Sequence, residues 1–195
     1  MPLPRSIKPH VQEFCQEVSP RSKPIYLDVT PSQQDISLDC FINVEKRVAE
    51  FGGSVQCGWR IWEWPNTLIE AEFHAVWLTH DCRLVDVTPA PKDSRRILFL
   101  PDSSRSYEGR QVDNIRKALY KHPLVDEFIR LWEEQFEIYN RGERAYMHGR
   151  MSFKKPEAHR LMAIKKRIMQ IQMLLSLCPC GSFLRFYRCC GRDLQ

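Results

Sequence analysis

The strongest constraint on the fold is a change of hydrophobic period within residues 37–89. Apolar residues first recur at helical spacing, and this run ends at the pair Gly52-Gly53. Over residues 69–77 apolar and polar side chains instead alternate, which is the period of a β-strand. A helix followed by alternating strands predicts an α+β domain in which the helix packs on an antiparallel sheet.

Three residues along this stretch have the chemistry of a thiol-nucleophile site. Cys40 lies at the predicted helix start, His74 on the alternating strand and Asp86 on the next extended segment. A thiol needs a base to become a thiolate, and the base needs a carboxylate to fix its tautomer. A first-turn thiolate is favoured by the helix dipole, and we expect Cys40 to be partly exposed there. The alternative is a buried structural cysteine and a structural histidine.

The hairpin between the two strands predicts how His74 meets Asp86. If residues 79–81 form the loop, Leu78 pairs with Cys82, and His74 then lies directly opposite Asp86 on the same face. Cross-strand neighbours contact each other, so this register predicts a direct contact between the imidazole and the carboxylate.

These segments resemble the transglutaminase-like branch of papain-like thiol enzymes. The chain reads His74-Ala75-Val76-Trp77 and Asp86-Val87-Thr88-Pro89, where that family has His-Ala-Trp and Asp-Pro-Thr. The resemblance implies a papain/transglutaminase-like core and acyl transfer at a carboxamide or peptide bond of a protein or peptide substrate: hydrolysis, deamidation or cross-linking. Papain-like enzymes place an oxyanion-stabilising glutamine before the cysteine. Gln34 has a suitable spacing, or it only solvates a loop.

The C-terminal region contains four cysteines in the pattern C-x-C-x8-C-C: Cys178, Cys180, Cys189 and Cys190. Four thiolates at this spacing can form a closed tetrahedral site for a structural Zn²⁺ ion. The run 178–182 followed by 189–191 resembles the SEC-C motif, a small zinc knuckle implicated in protein or nucleic-acid contacts. The alternative is a pair of disulfides. We disfavour it because residues 1–23 lack a signal-peptide core, which predicts a cytoplasmic protein.

Composition changes along the chain and predicts three segments. Residues 141–195 contain twelve Lys and Arg against three Asp and Glu, a net charge of +9, whereas residues 1–140 have a net charge of −4. We therefore predict a thiol-enzyme domain over 1–140, a basic linker and amphipathic helix over 141–177, and the knuckle over 178–195. The basic tail allows a second function, a non-catalytic adaptor that docks on a protein or nucleic acid.

The remaining segments are predicted from local pattern. Residues 102–110 are predicted to form a loop over the cleft, and Pro123 separates two helices predicted over 112–120 and 124–139. A longer amphipathic helix is predicted to start at Pro156. No apolar run has the length of a membrane helix, so we expect no membrane association.

Overall fold

The structure of the 195-residue chain is a computed structural model that describes all residues except 33–34, 36–38, 90–94, 148–150 and 193–195. The chain divides into two compact units. One is formed by residues 1–65 and 69–117, and the other by residues 66–68 and 118–195. The structural boundary near residue 117 therefore precedes the change of charge at residue 140.

The first unit contains a six-stranded sheet: β1 (Ile25–Asp28), β2 (Ser54–Trp64), β3 (Leu68–Leu78), β4 (Leu84–Val85), β5 (Arg96–Pro101) and β6 (Ile115–Ala118). The strand order is β1-β5-β2-β3-β4, with β6 also paired to β3. The sheet is antiparallel and nearly barrel-shaped, and a bridge between Val29 and Asp86 connects its two ends. The predicted α+β class is confirmed, while the papain/transglutaminase-like fold stays a prediction.

Two helices belong to this unit, α1 (Pro9–Val18) and α2 (Cys40–Phe51). Helix α2 packs on the sheet because its apolar stripe meets the apolar face of the alternating strand. Cys40 and Val44 form a buried cluster with Ala75 and Val87. The other side chains of β3 face a second cluster, in which Val76 packs with residues of β1 and β5. Burial of both faces of β3 stabilises the centre of the sheet.

The predicted hairpin register is wrong by two residues. Leu78 pairs with Leu84, not with Cys82. The loop is longer than predicted because Thr79 accepts a hydrogen bond from the Arg83 N–H at 3.0 Å and holds a wider turn. Cys82 is exposed in this turn with a φ of 59°. A shift of two residues keeps every side chain on its predicted face, since strand side chains alternate with a period of two.

The helix predicted over residues 112–120 is also wrong. Residues 115–118 form strand β6, which pairs with β3. Arg116, whose side chain is almost fully buried, donates to Glu70 of β3 at 2.9 Å. Asn114 donates to the same carboxylate at 2.9 Å. Strand pairing and this buried polar contact outweigh the helical propensity of the segment.

The second unit is mainly helical. It contains α3 (Pro123–Tyr139), α4 (Lys155–Leu175) and two short 3₁₀ turns, Gly142–Tyr146 and Phe186–Arg188. Helices α3 and α4 pack on each other, and α4 buries the stripe Leu161, Ile164, Ile168, Ile171, Leu174 and Leu175. Among the residues that the structure describes, no helix is long and apolar enough to cross a membrane.

Candidate functional site

Cys40 is the first residue of α2. Asp39 precedes it at the N-cap position and accepts the Asn43 N–H through its carbonyl at 3.1 Å. The thiol lies at the end of the helix where unpaired N–H groups favour a negative charge. The expectation of a partly exposed thiol is wrong, because Cys40 is only 8% exposed. Its packing against Val44, Ala75 and Val87 explains the burial.

His74 and Asp86 lie side by side in the buried part of the sheet. The distance from His74 Nε2 to Asp86 Oδ1 is 3.2 Å, and both side chains are almost fully buried. This contact is a close ion pair rather than a well-aligned hydrogen bond, since Nε2 has no hydrogen-bond partner among the described residues. The Thr88 N–H donates to Asp86 Oδ1 at 2.9 Å, and the Thr30 N–H donates to the Asp86 carbonyl at 2.8 Å. These two contacts fix the position of the carboxylate.

Asp86 is not opposite His74 as predicted. In the observed register Asp86 lies beyond the end of β4, one diagonal step from His74, and the two side chains share a face. Diagonal neighbours on one face remain within contact distance. The predicted contact is therefore present, although the pairing from which it was derived is not.

The electrostatics of His74 connect the three residues. Burial lowers the pKa of His74, but the charges of Cys40 and Asp86 raise it more, and the resulting pKa is about 10. A hydrogen bond between the Cys40 and His74 side chains also raises the pKa of His74, so the thiol lies beside the imidazole. A raised His74 pKa favours an imidazolium beside a thiolate, the charge state in which a cysteine acts as a nucleophile.

Arg60 is a further charged residue beside this site and was not predicted from the sequence. It lies on β2 with a side chain that is only 5% exposed. Burial lowers the pKa of Arg60, and the charges of Glu72, Asp86 and Cys40 partly offset this effect. The sequence did contain a signal for Arg60, which lies between Trp59 and Ile61 in an aromatic-rich strand. A charged residue at a buried strand position is rarely structural and therefore indicates a functional role.

Gln34, the predicted oxyanion donor, lies outside the described residues. The nearby Asp35 is described, and its carboxylate accepts a hydrogen bond from Arg47 of α2 at 3.0 Å. This contact ties the end of the segment to the helix that carries Cys40.

The predicted loop over residues 102–110 lies beside α2. Asp102 anchors its first residues by accepting a hydrogen bond from Trp59 Nε1 at 3.0 Å. The Tyr107 ring stacks on Phe41, the residue after Cys40, with ring centroids 3.7 Å apart and planes 12° apart. A cavity of about 350 Å³ lies between this loop, α2 and β2, lined by Phe41, Glu45, Val55, Gln56, Cys57, Ser103, Arg105, Ser106 and Tyr107.

The four C-terminal cysteines lie close enough to hold a metal ion. Their sulfur atoms are all within 4.8 Å of one another, and Cys180 Sγ and Cys189 Sγ are 3.4 Å apart. A tetrahedral site with Zn–S bonds of about 2.3 Å needs sulfur–sulfur distances of roughly 3.8 Å. The donor set is therefore compatible with zinc. All four cysteines are free thiols, which is against the disulfide alternative.

Two backbone features bring these cysteines together. Gly181 adopts a φ of 82° between the first cysteine pair and the rest of the motif, a conformation that favours glycine. Gly191 follows the second pair, and a Cβ there would lie 2.5 Å from the Phe186 ring. Hydrogen bonds from Ser182 and from Cys178 lower the pKa of Cys180, whereas hydrogen bonds with Cys178, Cys189 and Cys180 raise the pKa of Cys190. The thiols of the cluster therefore share their protons, and a metal would displace these protons because the thiolate is the ligand.

Arg185 joins the cysteine cluster to the rest of its unit. Its guanidinium donates to the Leu175 carbonyl at 2.9 Å, to Thr67 Oγ1 at 3.1 Å and to the Asn66 carbonyl at 2.7 Å. Tyr187 is buried and its hydroxyl lies 3.1 Å from that of Tyr120. The cysteine cluster is therefore packed into the second unit.

Part of the positive charge in the tail is paired. Arginines of residues 141–167 contact glutamates of α3 and α4 within 3.0 Å: Arg144 with Glu157, Arg160 with Glu134 and Arg167 with Glu127. Arg141 also lies 3.2 Å from Glu157, so four of the twelve Lys and Arg residues of 141–195 form ion pairs among the described residues. Lys165 and Lys166 are exposed, and the tail keeps cations outside these pairs.

Comparison with known proteins adds no relative: no family model, no curated protein and no solved structure matches this chain. The function of this chain is therefore inferred from its residues and their geometry.

Proposed function

We propose that this protein is a thiol-dependent acyl-transfer enzyme that acts on a carboxamide or peptide bond. Cys40 is the nucleophile, His74 the base and then the acid, and Asp86 orients His74. The observation that carries the proposal is the buried cluster in which His74 lies 3.2 Å from Asp86 and close to Cys40, with a pKa raised by both. The resemblance to transglutaminase-like enzymes supports the same assignment.

In this reaction the Cys40 sulfur attacks the carbonyl carbon and forms a carbon–sulfur bond. The His74 imidazolium gives its proton to the leaving nitrogen as the carbon–nitrogen bond breaks, and ammonia or an amine departs. His74 then takes a proton from water or from an acceptor amine, which attacks the acyl carbon and releases the thiolate. Water gives hydrolysis or deamidation, and an amine gives cross-linking. Gln34 stays the predicted donor to the oxyanion.

A substrate reaches Cys40 only if part of its cover moves, because the thiol is buried. One part of this cover is the Tyr107 ring, which stacks on Phe41, the residue after Cys40. We propose that residues 102–110 open to admit the acyl group, and that the cavity below this loop holds the part of the substrate next to the scissile bond. Lid movements of this kind commonly set turnover rates.

Alkylation by iodoacetamide at pH 6 tests the proposal. Mass spectrometry of the peptides gives a rate for each cysteine, and exposed Cys82 is the internal control. We expect Cys40 to react before Cys82, because the adjacent imidazole activates the Cys40 sulfur as a nucleophile. His74→Ala should abolish this preference. Labelling of Cys82 with Cys40 left unmodified would contradict the proposal.

Release of ammonia or of peptide from a glutamine-containing peptide library then selects among hydrolase, deamidase and transglutaminase.

A second candidate function is an adaptor whose C-terminal knuckle is stabilised by metal. We propose Zn²⁺ as the ion, from the four thiolate donors and the resemblance to the SEC-C motif. Exposed apolar residues surround the cluster: Phe183 is 86% exposed, and Leu177 and Leu184 are exposed as well. An apolar surface of this kind favours a protein partner.

Salt dependence separates the two kinds of partner. Binding of nucleic acid through the tail should weaken steeply between 50 and 200 mM salt, roughly in proportion to the number of phosphate contacts. Binding through the apolar residues should change little with salt and should be lost in Phe183→Ser. A steep salt dependence that Phe183→Ser leaves unchanged would contradict the preference for a protein partner.

A further inference from the structure

Arg60 carries two hydrogen-bond donors that the fold leaves unused. Its side chain is buried, and its Nε and Nη2 atoms have no hydrogen-bond partner among the residues that the structure describes. The guanidinium stacks on Trp62, with Cζ 4.3 Å from the ring centroid. Leaving buried N–H groups of a cation unpaired costs free energy, so the arrangement indicates a ligand that completes it.

The position of Arg60 places these donors beside the proposed thiol site. Arg60 pairs with Phe99 of β5, and the Phe99 ring lies 6.4 Å from the ring of His74. Strand β2 is also the direct neighbour of β3, which carries His74. The negative charges that act on Arg60 include that of Cys40.

The unused atoms lie on one edge of the guanidinium. Nε–H and one N–H of Nη2 point in parallel from the same side of the planar group, and this edge matches the two oxygens of a carboxylate. The chain's own carboxylates near Arg60 do not pair with this edge. Glu72 accepts a hydrogen bond from Trp62 Nε1 at 2.6 Å. Asp86 Oδ1 accepts from the Thr88 N–H and lies beside His74, and Asp86 Oδ2 has no hydrogen-bond partner among the described residues, so neither oxygen bonds to Nε or Nη2 of Arg60.

We propose that the Nε/Nη2 edge of Arg60 binds a carboxylate of the substrate. The inference rests on the proposed function and names a substrate class for it: acyl groups that carry a carboxylate a short distance from the carbonyl attacked by Cys40. Arg60 is then a specificity-determining residue. It neutralises the substrate charge in a buried site and orients the acyl group through two hydrogen bonds. A neutral substrate of the same shape would leave the guanidinium unpaired and would be rejected.

Iodoacetate and iodoacetamide provide a direct test, because they alkylate the same sulfur and differ in carrying a carboxylate or a neutral amide. The measured quantity is the ratio of the two Cys40 alkylation rates at pH 7, iodoacetate over iodoacetamide, from mass spectrometry of the Cys40 peptide. This ratio cancels any change in the thiolate fraction. The variants are Arg60→Lys, which keeps the charge but loses the bidentate edge, and Arg60→Met, which loses both. Arg83→Met, at an exposed arginine, is the matched control.

We expect the ratio to fall at least about tenfold in both Arg60 variants and to stay unchanged in the control. Arg60→Met should fold, because Nε and Nη2 of Arg60 have no hydrogen-bond partner among the described residues, and the substitution therefore breaks no hydrogen bond of that edge. If Arg60→Met does not fold, Arg60→Lys provides the test.

An unchanged ratio in the Arg60 variants overturns the inference and leaves the proposed function intact. A ratio that falls in Arg60→Met but not in Arg60→Lys also overturns it, since charge alone would explain that result. Failure of both reagents to modify Cys40 in the wild type overturns the proposed function and this inference together.

Discussion

At the scale of single residues, the position of Cys40 in the sequence does not tell whether the residue acts as a nucleophile or only packs in the core. It begins helix α2, where the dipole favours a thiolate, and it also packs in a buried cluster with Val44, Ala75 and Val87. Cys57 is buried to a similar extent, and burial raises the pKa of its thiol. The difference between the two cysteines is the imidazole beside Cys40, so we expect them to differ in reactivity rather than in packing.

Substitution of Cys40 tests both roles. Because the sulfur is buried, Cys40→Ala is expected to lower the free energy of unfolding by about 1–2 kcal/mol and to abolish turnover. Cys57→Ala is the matched control, with a similar loss of stability and retained labelling at Cys40. Urea unfolding and the alkylation assay give the two readouts. Loss of Cys40 labelling in Cys57→Ala would show that the reactivity of Cys40 depends on packing.

The charge state of His74 is a second prediction at this scale. Its folded pKa of about 10 lies above the ordinary value of about 6.5. The contribution of the imidazolium to stability is therefore complete below pH 6.5 and is lost as the pH rises through 10. We expect the NMR resonances of His74 to be those of an imidazolium at pH 8. In Cys40→Ala they should titrate at lower pH, because the thiolate charge is gone.

Exposed His159 provides a reference resonance in the same sample. A neutral His74 at pH 8 in the wild type, or an identical titration in Cys40→Ala, would contradict the assignment of Cys40 as the nearest negative charge.

At the scale of elements, the loop over residues 102–110 is the segment that we propose to cover the site. Asp102 fixes its start, while the Tyr107 ring stacks on Phe41. A loop that is held mainly by side-chain contacts can open locally without disrupting the sheet.

Tyr107→Ala is expected to open the site. A stacked aromatic pair is worth about 0.5–1.5 kcal/mol, so its removal should raise the Cys40 alkylation rate by roughly tenfold at most, with little change in melting temperature. Tyr146→Ala, at an exposed tyrosine, is the control and should leave the rate unchanged. A slower reaction in Tyr107→Ala would show that the ring helps to position the reagent instead of covering the thiol.

At the scale of the whole molecule, the two units depend on different interactions. The first is a sheet with two buried clusters, and the second is a helical pair with many ion pairs and a cysteine cluster. A small knuckle with few buried apolar residues needs a metal to stay folded, whereas a sheet core of this size does not. Loss of metal should therefore act on one unit only.

Metal removal tests this difference. Purified protein is expected to contain about one zinc ion per chain, and chelation should release Arg185 from its contacts with Leu175 and Thr67. Hydrogen exchange should then rise near the cysteine cluster and the end of α4, and stay unchanged in β2 and β3. Cys180→Ser should reproduce the effect of chelation. Protein without metal whose exchange is insensitive to chelator would contradict the assignment.

The sequence by itself determined the features that follow from local pattern. Helix α2, the alternating strand β3, helices α3 and α4 and the four-cysteine cluster were all predicted, because periodicity, prolines and cysteine spacing act over a few residues. The shared face of His74 and Asp86 was also predicted correctly, since a face depends only on the parity of the position and survives a shift of two residues.

Only the tertiary structure decided the features that depend on partners distant in sequence. The hairpin register depended on hydrogen bonds within the turn at Thr79, and β6 replaced a predicted helix because β3 offered a pairing edge and Glu70 a partner for Arg116. The burial of Cys40 and the approach of Arg60 to the same site arise from strand order. The physical reason is that long-range packing and pairing energies exceed local propensities, and they are absent from any short stretch of the chain.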